Sequence, residues 1–157
     1  MKKIWAIILT FNPSTNHVKR ILDALQRQVD FILVVDNHSR LSVIDDIRST
    51  IISFPYVRIL RLSHNTGVAA GFNAGIIEAR KNGASHIILF DQDSVPYTCM
   101  VHKLLLAEEQ LIVSGHKVAA VGPTFIDERT GSAAPFIQIN GFRVRKVNSA
   151  TGGDIVP

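Results

Sequence analysis

Apolar runs and helical patterns alternate along most of the chain. Ile4 to Leu9 is a continuous apolar run, which Asn12-Pro13-Ser14 breaks, after which Val18, Ile21, Leu22, Leu25 and Val29 recur at helical spacing. Phe31 to Val35 gives a second strand, and Ser42 with Asp45 resembles a capping box ahead of a helix carrying Ile44, Ile47 and Ile51 on one face. Tyr56 to Leu62 is a third strand; its Arg58 and Arg61 fall on opposite faces, which suits an edge position. A small-residue helix around Ala69, Phe72, Ile76 and Ala79, closed by Asn82-Gly83, leads to the strand His86 to Phe90. Pro96 suits the first turn of a further helix with Met100, Leu104, Ala107 and Leu111 on its buried stripe, and Val118 to Val121 is expected as a fifth strand. After Gly122 the pattern changes. Asp127 to Ser132 reads as a turn, Phe136 to Ile139 and Phe142 to Val147 as short alternating strands around Asn140-Gly141, and Thr151-Gly152-Gly153 as loop.

Strands that are apolar throughout, separated by amphipathic helices, describe a mostly parallel sheet with helices on both faces, so the fold class is α/β. The 157 residues fit a single domain over 1–157. With 46% hydrophobic and 19% charged residues, disorder of the whole chain is excluded. A formal net charge of +4 favours anionic ligands or surfaces, and is no sufficient argument for nucleic acid, which is not expected as a partner. Cys99 stands alone and cannot form an internal disulfide. The N-terminal apolar stretch is too short for a membrane span, so a cytoplasmic protein is expected.

In sheets of this kind ligands sit beyond the carboxyl ends of the strands. Thr10-Phe11-Asn12, Asp36-Asn37, His64-Asn65 and Asp91-Gln92-Asp93 each directly follow an apolar strand, so four polar tips share one edge. Asp, Asn and Ser also suit turns and helix caps, and that reading stays open for each tip. Asp91 and Asp93, one residue apart at the end of a strand taken as central, would in an extended segment point the same way. Two such carboxylates repel unless a cation lies near, and Mg²⁺ or Mn²⁺ is the hard ion that takes few carboxylates and completes its shell with water and phosphate oxygens. A capping pair ahead of the next helix is the alternative. The chain has no CxxC and no HExxH, which argues against zinc, and neither GxxxxGK[ST] nor GxGxxG, which argues against a P-loop or a standard dinucleotide fold. Gly67, Gly71 and Gly75 in NTGVAAGFNAGI clear one side of a helix, for a neighbouring element or for a ligand. A receiver-like signalling domain would need acids just after the first strand, where Phe11-Asn12 stand.

ILTFNP, VVDNHS, NTGVAAGFNAGI and ILFDQDSVP, in this order and at these separations, resemble the nucleotide-sugar-binding half of a family 2 glycosyltransferase of the Rossmann-like GT-A fold, nearest to bacterial rhamnosyltransferases of O-antigen and other surface polysaccharides. The resemblance implies that Thr10 and Asn12 line the nucleotide pocket, and that Asp36 accepts the imide N–H of uracil or thymine. It further places Asn65 and Asn73 near the nucleotide and sugar, Asp91 near the ribose or metal, and Asp93 on the cation that bridges the diphosphate. The implied reaction is inverting, metal-dependent transfer of a sugar from a dTDP- or UDP-linked donor, with L-rhamnose from dTDP-L-rhamnose foremost, to a saccharide or lipid-linked saccharide.

The resemblance is strong from Lys3 to Leu105 and weak beyond. Similar enzymes carry their general base in an acidic segment resembling GGFDE, which this chain lacks. Glu108 and Glu109 belong to a preceding helix, and Asp127-Glu128 comes too early. The expectation is therefore a truncated chain with no catalytic base before Pro157, inactive alone, with an exposed apolar face and a tendency to self-associate. A nucleotide-sugar-binding module without catalysis is the alternative. Arg143, Arg145 and Lys146 are candidates for peripheral membrane contact, against a plain solvated strand.

Overall fold

The computed structural model describes residues 2–127, 130–133, 135–140 and 143–147. By contacts between residues the chain divides into two compact units, Met1–Cys99 and Met100–Pro157.

In the first unit the elements follow in the order β1 (Ile4–Thr10), α1 (Thr15–Leu25), β2 (Phe31–Asp36), α2 (Leu41–Ile51), β3 (Val57–Arg61), α3 (Gly67–Lys81) and β4 (His86–Asp91). The four strands are all parallel, in the order β3-β2-β1-β4. This is the α/β architecture the pattern predicts, with β3 at an edge as its arginines require. Among the described residues β4 is the other edge and not a central strand.

Alternation along the strands builds two cores. Trp5, Ile7 and Leu9 of β1 and Leu33 and Val35 of β2 form one cluster with Ala79 of α3, on which Phe72 and Ile76 pack. The intervening residues Ala6, Ile8, Ile32 and Val34 are fully or almost fully buried on the other side, where Val18, Ile21, Leu22 and Leu25 of α1 and Ile44 and Ile47 of α2 supply the apolar stripes. Since α3 lies over β1 and β2, Leu89 of β4 remains 46% exposed on that face.

Close approach of α3 to the sheet explains two of the three spaced glycines. A Cβ on Gly71 would lie 2.5 Å from Leu9 Cδ1, and one on Gly75 would lie 2.7 Å from Ile7 Cγ2 and 2.9 Å from Val35 Cγ2. These are packing positions and not ligand positions. Gly67 is different: it opens α3 with φ +80, and nothing lies within 4 Å of the position a Cβ would take.

Two expectations fail locally. The Ser42–Asp45 capping box does not form, because the helix begins two residues earlier than that box requires, with Arg40 as its N-cap and no side-chain cap; Asp45 instead pairs with Arg48 at 3.0 Å. In the second unit, α4 runs from Met100 to Val113, four residues after Pro96, with Val101 buried and Met100, Leu104, Ala107 and Leu111 half-buried. Val118 to Val121 is not a strand. Its four apolar residues, bounded by Gly115 and Gly122-Pro123, acquire no ladder partner. The turn at Asp127 forms, with Gly131 N–H donating to the Asp127 carbonyl at 2.8 Å and Ile126 bridging Ala133. Phe136–Asn140 (β5) and Arg143–Val147 (β6) pair antiparallel with Asn140 opposite Arg143. Glu128, Gly141, Phe142 and the expected loop at Thr151-Gly152-Gly153 lie outside the described residues.

Gly75→Ala is expected to destabilise the chain by about 1–3 kcal/mol, since Ile7 and Val35 hem the added methyl from two strands. Gly67→Ala loses stability through its backbone conformation instead, without a clash. Urea denaturation of both variants checks the order; an unchanged midpoint for Gly75→Ala would contradict the packing.

Candidate functional site at the carboxyl edge of the sheet

All four parallel strands end at the same edge, and their tips are joined by side-chain hydrogen bonds. Three clasps do this.

The first joins β1 to β2. Asn12 adopts a positive φ of 47, a conformation its short polar side chain tolerates. Its N–H donates to Ser39 Oγ at 2.8 Å, and its Oδ1 accepts from the Arg40 N–H at 3.0 Å. Backbone pairing continues past the strands here, with Asn37 N–H donating to the Thr10 carbonyl at 2.8 Å.

The second joins β2 to the loop that starts α3. Asn37 is 4% exposed and uses both ends of its amide. Its Nδ2 donates to Asn65 Oδ1 at 3.0 Å and the Gly67 carbonyl at 3.3 Å, while its Oδ1 accepts from the Thr66 N–H at 2.9 Å and the Thr66 hydroxyl at 3.3 Å. Asn65 Oδ1 also accepts from the Gly67 N–H at 2.9 Å. A backbone loop that has no ladder of its own is thereby fastened to the sheet.

The third joins β1 to β4. Gln92 Oε1 accepts the Phe11 N–H at 2.8 Å, so the residue between the two acids ties their loop to the neighbouring strand.

Within this lacing the predicted residues fare differently. Thr10 is buried, and its hydroxyl donates to the Val35 carbonyl at 3.3 Å. Asp36 is fully buried; its two carboxylate oxygens each accept from the Ser39 N–H at 3.2 Å, and Oδ2 faces Arg61 Nε at 3.4 Å. Asn12, Asn65 and Asp36 are therefore brought together by the first two clasps. Asn73 is exposed in α3, off the Gly71–Gly75 stripe that packs on the sheet. Asp91 and Asp93 are both exposed.

The register sets the sides. Asp36 is paired with Thr10, and Asp91 with Leu9, the residue against which Gly71 packs. Neighbouring residues of β1 point to opposite faces, so Asp36 lies on the α1–α2 face and Asp91 on the α3 face. A ligand that meets both has to straddle the edge. The strand ends at Asp91 and Gln92-Asp93 turn away from it, so the two-residue alternation expected to align Asp91 with Asp93 stops at Asp91. Among the described residues no group of three His, Cys, Asp or Glu could hold a metal ion.

Sequence reasoning placed Asn37 and Gln92 at this edge without giving either a role, and missed Ser39 and Arg61. The signal for Asn37 and Ser39 lay in the turn chemistry of Asp-Asn-His-Ser, where side chains bond to nearby backbone. For Arg61 and Gln92 the partners are 22 or more positions away in sequence, beyond any local pattern.

This sheet, its order and its flanking helices define the GT-A class of fold, and solved structures share it. They include a mannosyltransferase from Pyrobaculum calidifontis in complex with GDP-Man and Mn²⁺ (TM-score 0.58, 18% identity, 82% of this chain and 36% of that one), GalNAc-T7 with UDP, GalNAc and Mn²⁺ (0.57, 14%, 66% and 20%), and S. aureus TarS 1-349 (0.54, 14%, 83% and 43%). Residues 5–151 match the model of Glycosyl transferase family 2, and the chain belongs to that family. Among curated proteins it is 30% identical over 142 residues to the dTDP-rhamnosyl transferase RfbF of Shigella flexneri, a match over 89% of this chain and 45% of that protein. The chain thus spans less than half the length of each of these relatives.

Replacing Asn37 by Ala strands the Thr66 N–H and removes one of the two donors to the Asn65 amide oxygen, and is expected to cost about 1–3 kcal/mol. Urea denaturation gives the loss, and hydrogen exchange should show the Thr66 and Gly67 amides opening first; full protection of both in the variant would contradict the clasp.

Proposed function

We propose that the chain is the donor-binding part of an inverting, metal-dependent glycosyltransferase that takes a sugar from a pyrimidine nucleotide diphosphate, with L-rhamnose on dTDP as the donor, and passes it to a saccharide hydroxyl in surface polysaccharide synthesis. One observation carries the reading: a buried carboxylate, Asp36, and two exposed ones, Asp91 and Asp93, sit along one laced sheet edge. The likeness to a dTDP-rhamnosyl transferase supports the choice of base and sugar.

In this reading Asp36 accepts the N3–H of the thymine or uracil ring. A carboxylate favours a partner with an N–H there and disfavours one with a lone pair, which is the basis for selecting among bases. Thr10 and Asn12 shape the pocket around it, and Phe11, 47% exposed at the same tip, offers a ring face on which a base can stack. Asn65 and Asn73 stand toward the nucleotide and sugar, and Asp91 and Asp93 toward the ribose and diphosphate.

Asp91 and Asp93 would be the carboxylates offered to a divalent cation. They supply two exposed oxygen donors and no soft ligand, which suits Mg²⁺ or Mn²⁺ with phosphate oxygens and water completing the shell. Bound there, the cation offsets the negative charge that grows on the departing diphosphate. The chain's own work is to hold the donor across the edge, with the base on the α1–α2 side and the diphosphate on the side of β4. In the transfer the bond from the anomeric carbon to the phosphate oxygen breaks, its electron pair leaving with the diphosphate. The acceptor oxygen then bonds to carbon from the opposite face, and its proton passes to a general base.

Thermal melts with dTDP, UDP, GDP and FMN, each with and without Mn²⁺, test the reading. The expected result is a Mn²⁺-dependent upward shift with dTDP and UDP and none with FMN. Asp93→Ala removes the Mn²⁺ part of the shift, and Asp36→Ala lowers the shift with dTDP and UDP. A shift with FMN alone, or equal shifts with and without Mn²⁺, would sink the proposal.

A further inference from the structure

Asp36 is an ion without exposure, and what surrounds it is specific. Its three polar contacts, two to the Ser39 N–H at 3.2 Å and one to Arg61 Nε at 3.4 Å, all lie at or beyond the long end of the hydrogen-bond range. A carboxylate has about four lone-pair sites, so one held by contacts this long keeps acceptor capacity for another N–H, which a base reaches only when the tips over the fully buried Asp36 part. Among the described residues, Arg61 is the cation in contact with Asp36.

Arg61 also does something a simple counter-ion would not. It ends β3 directly beside Asp36 in the parallel register, with its side chain 26% exposed. From there its guanidinium reaches both ends of one turn. Nε faces Asp36 Oδ2, and one Nη donates to the Ser39 carbonyl at 3.0 Å. That turn includes His38 at φ 70, and Ser39 is in turn the acceptor for the Asn12 N–H. A planar fork that holds both ends fixes the direction of the carboxylate in a way a point charge does not.

We propose that Arg61 is a positioning residue which orients the Asp36 carboxylate and thereby sets the preference for a base that presents an N–H. The proposal rests on the assignment of Asp36 as the base-reading group. It adds that discrimination is built on β3, a strand none of whose own residues was expected to touch the nucleotide.

The test uses the whole chain, at fixed Mn²⁺, with UDP and CDP as probes. The two bases differ at the ring edge in question: uracil presents N3–H where cytosine presents a lone pair. Calorimetric titration of the wild type should show UDP binding more tightly than CDP. In Arg61→Met the UDP-over-CDP ratio should fall by about tenfold, as expected for loss of an oriented hydrogen bond to a charged group, with CDP affinity little changed. Arg61→Lys, which keeps the charge and loses the fork, should give an intermediate ratio. In an Asp36→Asn background, Arg61→Met should change the ratio no further, because the residue acts through the carboxylate.

A wild-type ratio in Arg61→Met with a lowered melting temperature would make Arg61 structural alone and overturn the inference while leaving the function standing. Equal loss of UDP and CDP affinity would point to a contact with the phosphates and also overturn it. Should Arg61→Met fail to fold by circular dichroism, Arg61→Lys decides: a reduced ratio supports the role and a wild-type ratio refutes it. A wild type that binds neither diphosphate overturns the function and this inference together.

Discussion

Parallel strands that end side by side leave backbone and side-chain polar groups at one edge, with no further ladder to satisfy them, and those groups need partners from the loops that follow. Here the partners are amides and hydroxyls placed one to five residues past each strand: Asn12, Asn37, Ser39, Asn65, Thr66 and Gln92. Their lacing makes four loops into one surface. Without it the carboxylates at this edge would sit on separately moving tips, and none could be aimed at a shared ligand.

The same lacing divides labour among the acids. Asp36 is drawn under the surface by the Ser39 N–H and Arg61, whereas Asp91 and Asp93 stay in water. A buried carboxylate suits discrimination, since an unpaired or wrongly paired neighbour is costly there. Exposed carboxylates suit a hydrated cation, which keeps water in its shell. The positions differ by one register step across β1, enough to put Asp36 and Asp91 on opposite faces of the sheet, so a nucleotide bound as proposed would cross the edge between them.

Most of the fold was legible in the sequence because it rests on periodicity. Continuous apolar runs marked three of the four parallel strands, and the i, i+3, i+4 pattern of Val18, Ile21, Leu22 and Leu25 marked a helix in which all four are buried, whereas Val29, expected to continue the pattern, lies past its end and is half-buried. The arginines of VRILR marked an edge strand correctly, but their periodicity could not tell that Arg61 turns inward to a carboxylate one strand away. Val118 to Val121 misled because four apolar residues in a row suit a strand by type alone, whereas here Ala119 and Ala120 are exposed and Val118 and Val121 only half-buried. At the candidate site the acids were legible and their supports were not. Asp and Asn at strand ends announce themselves by type; the Phe11–Gln92 bond spans 81 positions and exists only once the sheet is assembled.

The central claim is that this edge receives a pyrimidine diphosphate through its acids. A crystal of the chain grown with Mn²⁺ and thymidine diphosphate tests it most directly. The expected result is thymine N3 within hydrogen-bond distance of Asp36 and a metal ion at Asp93. Nucleotide bound elsewhere, or an edge with neither ion nor base at saturating concentrations, would contradict it.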